Sequence, residues 1–171
     1  MSTYKQNSEP VYASCSTGAC PLTSGRWSFV LWALLLGGLV YLQWPFLKGL
    51  YYSNTTAPTS SIEWRTDFDS ALVEAEHSKK AVLLDFTASW CPPCRVMKHE
   101  VWPDAAVASA VTDNYIPVLL DVDDPKNAAV AARYSVDSIP TILVVDAEGD
   151  VLQRTGFISK AEVVEFLGSK S

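Results

Sequence analysis

Two cysteines separated by two prolines, set where an apolar run gives way to a helix, constrain this chain more than any other feature. The stretch from Val82 to Met97 reads VLLDFTASWCPPCRVM. Its first part, Ala81–Thr87, is short, rich in Val, Leu and Phe, and interrupted by a single carboxylate, Asp85. That pattern predicts a strand buried on both faces. Proline suits the first turn of a helix, where its missing N–H is not needed, so Pro92 and Pro93 place Cys91 and Cys94 at a helix N-terminus. Free N–H groups and a partial positive charge at such an end favour a thiolate. The thiolate is the form that attacks disulfides, so the placement predicts a redox-active pair.

Other uses of such a pair fit less well. A structural zinc site needs four ligands, usually two pairs; no second C-x-x-C exists, and Cys15 and Cys20 are four residues apart beyond a hydrophobic segment. Haem attachment needs His after the second Cys, and position 95 is Arg. A purely structural disulfide closing so small a loop stabilises little by the loop-entropy argument. Asp121, Asp123 and Asp124 resemble a metal cluster only superficially, because a strand end running into a turn at Pro125 explains them. No metal and no cofactor is expected.

The N-terminal part is of another kind. Residues 27–47, WSFVLWALLLGGLVYLQWPFL, carry no charge and lie between Arg26 and Lys48. That length spans a bilayer core as a helix, and Trp27, Tyr41 and Trp44 lie near its ends, as interfacial aromatics do. The expectation is one retained transmembrane helix, since a long segment precedes it and no small-x-small cleavage pattern follows closely. Lys5 and Arg26 before the span, against Lys48 and the more distant Arg65 after it, give a slight bias toward a cytoplasmic N-terminus. Residues 1–26 read as a disordered tail whose two cysteines are incidental or regulatory, and 48–61 as a linker. The net charge of −6 and the lack of a basic patch argue against nucleic acid.

A soluble domain is expected over 62–171. Thr66 with Asp69 suggests a capping box, followed by Phe68, Ala71, Leu72 and Ala75 at helical spacing and His77 near the end. The cysteine helix runs to about Glu100, Trp102-Pro103 interrupts, and Asp104 caps a helix from Ala105 to Val111. A strand at Ile116–Val122, an Ala-rich helix at Lys126–Tyr134 and a strand after Pro140 follow. Glu148-Gly149-Asp150 turns the chain into Val151–Thr155, and Ser159 with Glu162 boxes the start of a last helix. Strands alternating with helices, then a late hairpin, predict an α/β domain: a mixed central sheet flanked by helices.

These residues resemble the thioredoxin superfamily. The likeness rests on Asp85-Phe86, Trp90-Cys91-Pro92-Pro93-Cys94, Ile139-Pro140-Thr141 and Gly156, in that order, and covers roughly Ile62 to Leu167. The stretch from Ala81 to Cys94, the Asp123-Asp124-Pro125 turn and Thr155-Gly156-Phe157 look most like the C-terminal thioredoxin domain of the bacterial disulfide reductases of the DsbD type; membrane-tethered thioredoxins of cytochrome c maturation are a second resemblance. The resemblance implies a thioredoxin fold, thiol–disulfide exchange, a cis bond before Pro140, Cys91 as nucleophile and the Ile139 backbone as a pairing edge for substrate. One departure stands out. Many members place a buried Lys beside the Asp that Asp85 matches, whereas the corresponding strand here reads Pro117-Val118-Leu119-Leu120. Asp85 without a cationic partner should have a raised pKa.

The expected function is that of a membrane-tethered protein-disulfide reductase. Cys91, exposed at the helix start, attacks; Cys94 resolves, deprotonated through Asp85; Trp90, Pro92, Pro93, Ile139 and Pro140 form the substrate face. Expected partners are disulfide-containing proteins and a membrane electron donor, since the span carries no cysteine of its own. The expected location is an inner membrane, with the redox domain on its periplasmic side. A disulfide-forming oxidase or isomerase, and a non-catalytic binding or chaperone module, are the competing functions.

Overall fold

The structure, a computed structural model, describes residues 24–169. Cys15, Cys20 and most of the tail 1–26 lie outside the described residues. The chain divides into two compact units at Leu39.

The first unit contains most of helix α1, Ser24–Leu42, whose large apolar side chains from Phe29 onward are exposed. The sequence predicts one uninterrupted span over 27–47; instead α1 stops at Leu42, and a second helix, α2, runs Trp44–Tyr51. Pro45 explains the break, because it has no N–H to offer the Tyr41 carbonyl and its ring crowds that oxygen. Among the described residues no single helix is long and apolar enough to cross a membrane; the two helices pass together, as a broken pair, by length and composition.

In the second unit, the stretch expected to be a linker from Lys48 is helical as far as Asn54: α2 passes into a 3₁₀ turn at Tyr52–Asn54. Helix α3, Phe68–Ser78, is capped by Asp67, which accepts from the Ser70 N–H at 2.8 Å. The expected Thr66–Asp69 box is thus shifted by one residue, the carboxylate being the cap used. Strand β1 is Ala81–Thr87, α4 is Pro92–Val96 continuing into a π turn at Met97–Val101, and α5 is Ala105–Asn114. Strand β2, Tyr115–Asp121, α6, Pro125–Arg133, β3, Thr141–Val145, β4, Val151–Thr155, and α7, Lys160–Gly168, complete the chain. Gly149 has a φ of 85° in the β3–β4 turn, a conformation that favours glycine. The Ser159–Glu162 capping box forms as expected.

The sheet order is β2-β1-β3-β4, with β1 parallel to β2 and antiparallel to β3. Strand β1 is central and its residues from Val82 to Phe86 are buried. Because side chains alternate along a strand, Val82, Leu84 and Phe86 enter the core under α3 and α6, with Phe68, Ala71, Ala75 and Ala131. Leu83 enters the opposite core, with Met97, Val101, Trp102, Val107 and Val163. Asp85 is two residues from Leu83 and so shares its face. These two layers leave the C-terminal end of β1, where the motif begins, at the rim of the sheet.

Candidate active site

The Cys-Pro-Pro-Cys turn is set by the end of β1. After Thr87 the chain turns through Ala88–Trp90, with the Cys91 N–H bonded to the Ala88 carbonyl at 3.2 Å. Cys91 is the N-cap of α4 in extended conformation, and Pro92 is the first helical residue. The Cys94 N–H donates to Cys91 Sγ at 3.2 Å, so the sulfur occupies the acceptor position of a helix cap. Cys91 and Cys94 are joined as a disulfide, with Cα atoms 5.3 Å apart.

An exposed Cys91 is not what the structure has. Cys91 is only 2% exposed and Cys94 5%. Both pack with Ala88 and against Val122 and Ile139. The Ile139 carbonyl oxygen lies 3.8 Å from Cys91 Sγ, and the Ile139–Pro140 bond is cis, as the resemblance implies. Helix α2 closes in from another side: Gly49 is so near Pro92 that a Cβ on it would overlap the Pro92 backbone. Arg95 donates to the Ser89 carbonyl at 3.0 Å and the Gly49 carbonyl at 3.4 Å. Pro93 is half-buried beside them. Trp90 is 59% exposed, and its indole N–H is shared between the two Asp123 oxygens at 3.2 and 3.1 Å. Asp123 therefore orients an aromatic ring at the site, although the sequence marks it only as a turn residue. Asp124 caps α6 by accepting from the Lys126 N–H.

Below the cysteines lies Asp85, 3% exposed. Its strand neighbours are Leu119 on β2 and Ile142 on β3, neither of them cationic. Burial raises its pKa to about 7, and a hydrogen bond from Trp102 opposes that rise. The bond runs from Trp102 Nε1 to Oδ2 at 2.9 Å, while Oδ1 is buried without a protein partner. Asp85 and Cys94 line one cavity of about 630 Å³, walled also by Trp64, Trp102, Leu119 and the segment after Tyr52. Trp102 is the residue that sequence reasoning missed. An aromatic eight residues after a cysteine gives no sign of which way it faces, and here a π turn decides that. Among the described residues no group of His, Cys, Asp and Glu is arranged to hold a metal ion.

Residues 68–170 match the family model described as a thioredoxin-like domain. Thioredoxin H5 of Arabidopsis thaliana is 36% identical over 94 residues, covering 55% of this chain and 74% of that protein. The thiol:disulfide interchange protein DsbD of Pseudomonas sp. is 33% identical over 142 residues, covering 77% of this chain but only 24% of its own length. Among solved structures, the oxidised DsbD c-terminal domain of Neisseria meningitidis superposes with a TM-score of 0.53 at 24% identity, covering 64% of this chain and all of that one, a likeness of fold. The matched sequence pattern and the observed βαβ-hairpin architecture coincide over the same part of the molecule, and the chain belongs to the thioredoxin superfamily.

Proposed function

We propose that this protein is a membrane-tethered thiol–disulfide oxidoreductase that reduces disulfides in proteins outside the cytoplasm. The observation that carries this reading is the Cys91–Cys94 disulfide seated at a helix start, opposite the cis Ile139–Pro140 bond and above a buried carboxyl. In the reduced form, the Cys94 N–H that now reaches Cys91 Sγ would stabilise a Cys91 thiolate. That thiolate attacks a substrate disulfide; a Cys91–substrate bond forms and one substrate sulfur leaves as thiolate. Asp85 takes the Cys94 proton, the Cys94 thiolate attacks Cys91 Sγ, the internal disulfide forms and the second substrate sulfur is released. Two electrons have passed to the substrate, and a donor dithiol must return them. A carboxyl that titrates near 7 is suited to accepting a proton at neutral pH. Trp90, Pro92, Pro93 and the Ile139 backbone supply the face on which substrate docks.

Support for tethering comes from the uncharged run 27–47 and the broken helix pair. Replacing Cys94 by Ala in the full chain tests the chemistry. It should accumulate mixed disulfides through Cys91 that run as high-mass bands on non-reducing gels and vanish with reductant. Trapping by Cys91→Ala but not by Cys94→Ala would reverse the roles. Absence of insulin reduction by the wild-type chain would favour the binding-module alternative, and a reduction potential well above that of cytosolic reductants would favour an oxidase.

A further inference from the structure

We infer that Trp102 is a positioning residue for thiol–disulfide exchange, holding Asp85 by one carboxyl oxygen and leaving the other without a protein partner, in a residue that lines the same cavity as Cys94. The inference rests on the proposed proton transfer through Asp85. It starts from what flanks Asp85: the strands on either side of β1 offer Leu119 and Ile142, neither of which can donate a side-chain hydrogen bond. A buried carboxyl needs a donor from somewhere, and the donor here is an indole.

Several features fix that indole. The π turn ends with the Trp102 N–H bonded to the Met97 carbonyl at 3.0 Å, which rotates the residue inward relative to a regular helix. Ser60 donates to the Trp102 carbonyl at 2.7 Å and accepts from the Ile62 N–H, tying the residue to the segment before α3. Trp64 meets its ring edge-on at 5.2 Å and 73°. A core tryptophan whose N–H merely needed an acceptor would not require the acceptor to be the one buried carboxyl of the active-site strand. The other charged or titratable groups around the cavity are Tyr52, Cys94, Arg95, Lys98, His99 and Asp121. Of the described groups, only Trp102 has a hydrogen bond to the Asp85 carboxyl.

A cation would hold Asp85 ionised through its charge, whereas a single neutral N–H favours the ionised form less and keeps the carboxyl able to gain and lose a proton near neutrality. It also leaves Oδ1 unengaged by protein, available to a water or to the Cys94 thiol. Trp102→Phe preserves most of the ring packing and removes only the donor.

The full chain carrying Trp102→Phe is compared with wild type and Asp85→Asn in two ways. The Asp85 carboxyl is followed by ¹³C NMR across pH 5 to 9, and Cys94-dependent resolution of a Cys91 mixed disulfide by stopped flow over the same range. Loss of one hydrogen bond to a charged group should move the carboxyl midpoint up by about one pH unit, slowing resolution at pH 7 about fivefold and leaving the high-pH plateau in place. An unchanged midpoint and profile in a folded Trp102→Phe protein overturns the inference. Wild type gives a second reading that needs no variant at position 102: the Trp102 indole ¹H–¹⁵N resonance should titrate with the Asp85 midpoint and stay flat in Asp85→Asn. A resonance that does not move in wild type also overturns it. Should Asp85→Asn resolve at the wild-type rate at every pH, the proton-transfer role fails, while the indole titration still reports separately whether Trp102 holds the carboxyl.

Discussion

Burial lifts the Asp85 carboxyl to about 7 in the folded chain from an ordinary value of 3.8, and that difference makes it a stability switch as well as the proposed proton acceptor. Between those two values the folded state holds a proton that the unfolded chain has released, so stability falls as pH rises through this window. The stabilising contribution is full below 3.8 and gone above 7. A rise of about three units corresponds to at most about 4 kcal/mol across the window. Asp85→Asn removes the switch while keeping an acceptor for Trp102. Urea melts of the oxidised form should therefore show wild type losing stability between pH 5 and pH 8 and Asp85→Asn losing much less. Parallel pH slopes in the two proteins would mean that the carboxyl is not protonated in the fold at pH 5. Glu100 has the opposite sign. Burial pushes its carboxyl up, but hydrogen bonds from Tyr52 and Lys48 together outweigh that and hold it below its ordinary range, so its contribution is lost only on acidification.

Helix α2 and its 3₁₀ turn dock on the cysteine helix through a set of specific contacts. Lys48 Nζ pairs with Glu100 at 2.9 Å, the Tyr52 hydroxyl donates to the same carboxylate at 2.7 Å, and the Tyr52 ring stacks on His99 at 4.3 Å. The Lys48–Glu100 pair is about a third exposed on each side, so it adds little by itself. The close approach of Gly49 to Pro92 is the more demanding feature, because only a residue without a side chain fits there. Gly49→Val should overpack this contact, at roughly 1–3 kcal/mol, and loosen α2. Limited trypsinolysis after Lys48 should then run faster than in wild type, and an unchanged cleavage rate would show that the docking does not depend on this contact. None of this was legible in the sequence, where Ser53, Asn54, Thr55 and Pro58 signal loop and Gly49 looks like one more flexible position. The central strand, the Cys helix start and the Ser159 cap were legible, because each depends on residues within one or two turns of one another; the cis bond before Pro140 followed only from the resemblance. The missed features all depend on distant partners. Cys91 is buried by Ile139 and Val122, both distant in sequence, together with nearby Ala88. Trp102 faces Asp85 because a π turn inserts a residue, and Trp90 is oriented by Asp123, 33 residues away.

At the scale of the whole chain, the proposed tethering raises the question of how electrons reach the redox domain. The uncharged run 27–47 contains no Cys to relay a thiol–disulfide couple and no His or Met to ligate a redox centre, so that run supplies no thiol–disulfide relay across a bilayer. Under the proposed reductase function, the dithiol is regenerated by a separate donor on the same side as the domain. The slight excess of positive charge before the run favours a cytoplasmic N-terminus with residues 48–171 outside, the orientation that the proposed function requires. Protease added to intact spheroplasts should digest the domain and leave a short N-terminal fragment, and protection of the domain would reverse the orientation. In liposomes holding the full chain with its domain outward, a dithiol reductant trapped inside should leave Cys91–Cys94 oxidised, as read by the failure of an external alkylating reagent to add to either sulfur after denaturation. Reduction should begin only when a transmembrane thiol–disulfide carrier is reconstituted alongside. Reduction of the pair by the internal reductant with no carrier present, in vesicles shown to be tight, would mean that the chain itself conducts electrons and that the anchor does more than hold the domain in place.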